Sequence, residues 1–164
     1  MKKSILIFFV STLIISITAN AQNLPYTANY SSNFKMGSHD LSKMILELYK
    51  DYEKNDFSKE AWFSDTLMVF LPDGTMKRGK PDAIDVFKNF RGTLASSTFT
   101  FDAIIPLTSV DRKENWVALW GTEETTDKAS PANTVKSEFQ AIWRVNKDKK
   151  VDFIKLFTSK PAQQ

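Results

Sequence analysis

The apolar positions change period once along the chain, and the change separates a helical half from a stranded half. Leu41, Met44, Ile45, Leu48, Tyr49 and Tyr52 recur at helical spacing, which predicts one amphipathic helix. Ser38 or Asp40 can cap its start, and Asn55-Asp56 ends it. Ser58 can cap a second short helix carrying Ala61, Trp62 and Phe63. Residues 66–71 are rich in strand formers, Pro72-Asp73-Gly74 is turn chemistry, and residues 76–78 predict a short returning strand. Gly79-Lys80-Pro81 then opens a third helix. Pro81 suits its first position, Asp82 its positive end, and Gly92 a place just past its last turn. Ile84, Phe87 and Phe90 give it an apolar face.

From there the period is two. Residues 97–105, 115–125, 134–146 and 150–159 read as strands. In the third of these, Val135, Ser137, Phe139, Ala141, Trp143 and Val145 share one face, while Lys136, Glu138, Gln140 and Arg144 polarise the other. Asn146-Lys147-Asp148-Lys149 makes a tight hairpin to the last strand. Helices followed by a long antiparallel meander give an α+β layout with the helices on one face of the sheet. Val117, Leu119, Ile142, Ile154 and Leu156 are then expected on the opposite, outer face, where an apolar surface would form a homodimer.

The N-terminus changes the picture of where the chain works. Lys2 and Lys3 precede an apolar run over residues 5–17, and Ala19-Asn20-Ala21 supplies the small residues of a cleavage site before Gln22. The run falls short of the roughly 20 residues that span a bilayer, so residues 1–21 read as a signal peptide. The mature chain is expected in the periplasm or outside the cell, without stable membrane insertion. Residues 22–37 are polar and aperiodic, a linker or arm; residues 38–159 form one domain and 160–164 a tail.

Composition removes several function classes. Of 22 Lys and Arg against 19 Asp and Glu, Lys2 and Lys3 leave with the leader, so the mature chain is nearly balanced. Its one dense basic cluster is the turn at residues 147–150, too little for the basic stripe that nucleic-acid binding requires. There is no cysteine and the single histidine is His39. That excludes disulfides, a conventional zinc site and Cys-His catalysis, and His39, placed before the first helix as a cap or solvated residue, makes no convincing Ser-His-Asp set. No cofactor or metal is expected.

Several segments carry a resemblance when taken in order. The first helix ends in Glu53-Lys54-Asn55-Asp56-Phe57, followed by Ala61-Trp62-Phe63-Ser64-Asp65-Thr66. Then come Pro72-Asp73-Gly74, Arg78-Gly79-Lys80-Pro81 with Ala83-Ile84, and a terminal hairpin of Phe139-Gln140-Ala141-Ile142-Trp143-Arg144 and Val151-Asp152-Phe153-Ile154-Lys155. This set resembles the nuclear transport factor 2-like superfamily, which includes ketosteroid isomerases and SnoaL-like polyketide cyclases. The resemblance implies three N-terminal helices in the concave face of a strongly curved, mostly antiparallel mixed sheet, a cone with an apolar pocket. Leu48, Tyr52, Phe63, Leu71, Trp120, Phe139, Ala141, Trp143, Lys155 and Phe157 are the ligand-binding residues it implies. Any one of these aromatics would serve equally well as core packing.

The same resemblance bears on catalysis. Its isomerases use a carboxylate base, a tyrosine and a protonated acid, and the matching positions here are Leu71, Leu48 and Ala141. None of these side chains can exchange a proton, so the expectation is a non-catalytic domain binding an apolar or amphiphilic molecule. Two alternatives stand beside it: a cyclase- or isomerase-type enzyme with a relocated acid/base, and a dimeric interaction module. Lys155 and Tyr52 lead as relocated groups. Lys155 alternates with Phe153 and Phe157, so on an inward face it would meet an anionic head group; near the mouth it would reach to water.

Overall fold

The computed structural model describes residues 25–159. The expected signal peptide with its cleavage site and the tail at 160–164 lie outside the described residues. In chain order the elements are β1 (Phe34–Met36), α1 (His39–Glu53), a 3-10 turn (Glu60–Trp62), β2 (Phe63–Phe70), β3 (Met76–Arg78), α2 (Lys80–Thr93), β4 (Leu94–Ser109), β5 (Asn115–Asp127), β6 (Thr134–Val145) and β7 (Val151–Thr158). The sheet runs β1-β4-β5-β6-β7-β2-β3. Only β2 with β7 is parallel, so the sheet is mixed and mostly antiparallel. Helix α1 packs on β4 and β5, and α2 on β2.

Local chemistry places the helices. Ser38 Oγ accepts the Asp40 N–H at 3.2 Å and caps α1. Asn55, at φ 56°, turns the chain out of α1 in the left-handed region that asparagine tolerates. Gly79, at φ 93°, makes the turn into α2, with Pro81 in the first helical turn. Gly92 lies inside α2 rather than past its end, because the helix runs to Thr93. The expected second helix is the single 3-10 turn: Phe63 already belongs to β2, where Phe63, Leu67 and Val69 are buried. Among the described residues there are thus two α-helices, not three.

The polar arm is also more than a linker. Phe34–Met36 pairs with Leu107, Thr108 and Ser109, adding an edge strand to β4. This is possible because β4 continues four residues past its expected end and leaves an unpaired edge there. Tyr30 lies edge-on to Trp116 and Phe153, with ring centroids 5.5 and 5.4 Å apart. It closes an outer cluster in which the Arg144 guanidinium stacks on both rings and donates to Asp152 at 2.8 Å.

The cross-strand register corrects the assignment of faces. Val117 pairs with Trp143, Leu119 with Ala141, Ile154 with Trp143 and Leu156 with Ala141. All therefore lie on the inner face, and Val117, Leu119 and Ile154 are fully buried. Of the five residues expected to make an outer dimer surface, only Ile142 faces out. By the same register Trp120 pairs with Gln140, Phe157 with Gln140, and Lys155 with Ile142, so these three stand on the convex side. Period two fixes which residues of a strand share a face, but not which face is inside when both carry apolar groups. In β4 a register shift at Asp102 moves the parity: Phe99 and Phe101 face in before it, Ile104 after it. Gly121 stands opposite this bend, where any Cβ would collide with the Thr100 carbonyl.

Candidate functional site

Under α1 and α2 the inner face closes into a core of Ile45, Leu67, Val69, Val117, Leu119 and Ile154. Toward the other end of β5, β6 and β7 it opens into a cavity of about 640 Å³. Helix α1 supplies Leu48, Tyr49 and Tyr52 to its wall, and α2 supplies Ile84 and Phe87. The sheet supplies Phe63, Phe99, Phe139, Trp143 and Leu156. The rings interlock edge to face: Tyr49 lies 4.8 Å from Phe99, and Phe99 5.4 Å from Phe139.

The sequence-derived wall residues divide as follows. Leu48, Tyr52, Phe63, Leu71, Phe139 and Trp143 border the cavity. Ala141 is fully buried on the same face but does not reach it. Phe157 touches only the rim: it is 42% exposed, and the Lys155 ammonium lies 5.1 Å from its ring on the convex side. Trp120 and Lys155 do not border the cavity. Lys155 stands between Phe70 and Phe157, outside the cone, and is removed from the acid/base and head-group roles considered for it.

Sequence reasoning missed the polar centre of the site. Glu123 projects from the inner face of β5, next along that face after Leu119 and Gly121. Once Val117 and Leu119 are placed inward, alternation places Glu123 inward too; the error over faces hid it. Ser97 Oγ donates to Glu123 Oε1 at 2.9 Å. Burial pushes the Glu123 carboxyl above the ordinary glutamate range, against the opposing pull of the Ser97 hydrogen bond and the Arg91 charge. Burial likewise holds the Tyr49 and Tyr52 phenols well above their ordinary range, and the Glu123 charge adds to both shifts.

Arg91 organises the floor behind this group. It is buried, and its guanidinium donates to the carbonyls of Tyr52, Glu53 and Leu94 at 2.9, 2.8 and 2.9 Å, tying α2 to the end of α1. Glu53 Oε1 accepts the Phe99 N–H at 2.7 Å and fixes the same helix end to β4. At the edge of the cavity the Lys59 ammonium lies 2.5 Å from Asp51. Among the described residues no cluster of three or more His, Cys, Asp or Glu could hold a metal ion.

Comparison with known proteins turns on shape alone. No family model matches the sequence, and no curated protein resembles it. Solved structures do match. A protein assigned as a SnoaL-like polyketide cyclase from Shewanella denitrificans OS-217 superposes with a TM-score of 0.60 at 8% identity, over 74% of this chain and 92% of that one. A nuclear transport factor 2-like protein of unknown function from Burkholderia pseudomallei K96243 gives 0.59 at 16% identity, over 73% and 91%. The fold is that of the nuclear transport factor 2-like superfamily. An LEH-like epoxide hydrolase of Mycobacterium tuberculosis also superposes, with a TM-score of 0.59 at 12% identity over 74% of this chain and 84% of that one. Such identities carry the fold and no activity.

Proposed function

We propose that this chain is an exported, non-catalytic member of its fold that holds an apolar or amphiphilic small molecule in its cone. The observation that supports this is the cavity itself. At about 640 Å³ it lies within the range of about 300–1,000 Å³ common to small-molecule sites. Its wall is largely aromatic and aliphatic, with Glu123, Thr125 and Ser137 on the inner sheet face and charged side chains along its border, a composition that can orient a ligand by one end.

Native mass spectrometry of the protein purified from its own host tests this directly. A mass excess that is released on denaturation and recovered as one small apolar compound is the expected result. A protein of bare chain mass that also fails to bind apolar fluorescent probes would overturn the reading.

One observation favours a second reading, an enzyme with a relocated acid/base. Glu123 is a half-buried carboxyl inside the cavity whose proton affinity is raised, the environment in which glutamates act as proton shuttles. That reading expects the recovered compound to change mass or isomeric form when incubated with fresh protein, and to remain unchanged with Glu123→Gln.

A further inference from the structure

The charged groups around the cavity are nearly all acids. Asp51, Asp56, Glu60 and Asp73 border it with one cation, Lys59, and Glu123 stands within. Lys59 is already engaged by Asp51 at 2.5 Å and by Glu47 at 3.7 Å, and Lys88, beside the lining ring of Phe57, is engaged by Glu60. Arg91 is committed to three backbone carbonyls, and Lys155 lies outside the cone. Glu123 Oε1 is bonded to Ser97; its Oε2 has no protein partner among the described residues and is not sealed from the cavity. Phe99 is its cross-strand partner on β4, the phenols of Tyr49 and Tyr52 lie near enough to feel its charge, and Phe139 lines the same cavity.

We infer that the cavity selects apolar molecules carrying one protonated amine, with the ammonium seated against Glu123 and the rings beside it. This deepens the proposed binding role and rests on it. An ammonium satisfies a carboxylate that has no mobile counter-charge, and aromatic faces add attraction of the same sign. Asp51 and Glu60 are neutralised by Lys59 and Lys88, and the remaining acids Asp56 and Asp73 leave the border weakly acidic, which favours cations over anions near it. An anionic head group would meet Glu123 with no free cation to compensate it, and a neutral hydroxyl would gain only an ordinary hydrogen bond.

The groups facing Glu123 come from four elements. Helix α1 contributes Tyr49, Tyr52 and the already bonded Glu53; α2 contributes Arg91; β4 contributes Ser97; β6 contributes Ser137 across the strand pair. Arg91 is the one cation of the set. Because burial raises the proton affinity of Glu123, amine binding is linked to its deprotonation. Affinity for an amine is greatest above the titration of the free carboxyl and falls as pH drops through it.

Isothermal calorimetry with a matched rigid trio, adamantylamine, adamantanol and adamantanecarboxylate, tests the inference on the purified protein. The expected order at about pH 7 is amine, then alcohol, then carboxylate. Glu123→Gln is expected to weaken the amine by about 30-fold or more, the loss that follows removal of one partner of a buried charged pair, while the alcohol changes less than about threefold. Should that variant not fold, wild-type protein gives the same answer: amine affinity falls as pH is lowered through the raised titration of Glu123 and alcohol affinity does not. Alcohol binding as tightly as amine, or an amine preference that survives Glu123→Gln, overturns the inference and leaves the binding role intact. Failure of all three to bind removes the inference, and the mass-spectrometric experiment then decides the binding role separately.

Discussion

Replacing Arg91 with methionine puts the assembly of the cavity floor to a quantitative test. The side chain is only 6% exposed and donates three hydrogen bonds, to Tyr52, Glu53 and Leu94. Hydrogen bonds from a charged donor contribute about 1.5–3 kcal/mol each, so three set an upper limit of about 4.5–9 kcal/mol. Two effects reduce this. Methionine keeps the apolar stem and is spared the desolvation of a guanidinium. Tyr52 and Glu53 are only half-buried, so water can reach their carbonyls once the donor is gone, whereas Leu94 is buried. A net loss of about 2–4 kcal/mol remains.

For a domain of this size that is a fall of about 5–15 °C in Tm. Urea unfolding followed by far-UV circular dichroism should show a lower midpoint at unchanged m-value, the sign of lost stability without a change in the denatured state. Arg91→Lys keeps the charge but not the planar fork, so its loss should fall between wild type and methionine. Lys155→Met, on the convex surface, is the control and should move stability by less than about 0.5 kcal/mol. A methionine variant within about 1 kcal/mol of wild type would refute the claim that Arg91 locks α2 to the end of α1.

Two further outcomes are expected. Gly121→Ala forces a Cβ into the Thr100 carbonyl, so it should cost about 2–4 kcal/mol by thermal unfolding; an alanine variant as stable as wild type would show that the β4 bend does not depend on this close approach. Glu123→Gln should reveal the raised carboxyl through pH. A folded-state value above the unfolded one contributes stability at low pH that is lost as pH rises through the raised value. The difference in unfolding free energy between glutamine variant and wild type should therefore move in favour of the variant from about pH 4 to about pH 7. A difference that stays flat, or moves the other way, contradicts the burial of this group.

Much of the fold was legible because its signals are local. The α1 stripe, the Ser38 cap, the Pro72-Asp73-Gly74 turn, the Gly79-Lys80-Pro81 start of α2 and the Asn146–Lys149 hairpin each depend on neighbours within a few residues. What escaped depends on pairing between distant strands. Nothing in Phe34-Lys35-Met36 announces a strand; it becomes one because β4 offers an edge. The inward side of β5 depends on whether Val117 or Trp116 meets the helices. Both are strongly apolar and both are buried, one under α1 and α2, the other under Tyr30. With that choice reversed, alternation puts Trp120 and Lys155 in the cavity and leaves Glu123 out.

Read with the register in hand, the inner face states where the core stops. Along β5 its inward residues run Val117, Leu119, Gly121, Glu123, Thr125; along β6, from the facing end, Val145, Trp143, Ala141, Phe139, Ser137. Both series pass from aliphatic or large apolar groups, fully buried, to polar groups that are half-buried. A strand whose inner face is covered by a helix along its whole length has no reason to carry Glu123, Thr125 and Ser137 there, since each would need a partner in a dry interior. These residues belong to a face lined by a space large enough for other molecules, and Phe99, Phe139 and Leu156 keep its remaining wall apolar. The polar end of each strand thus marks the cavity, and Glu123, the carboxyl on its inner sheet wall, marks the end of the cavity that can discriminate between ligands.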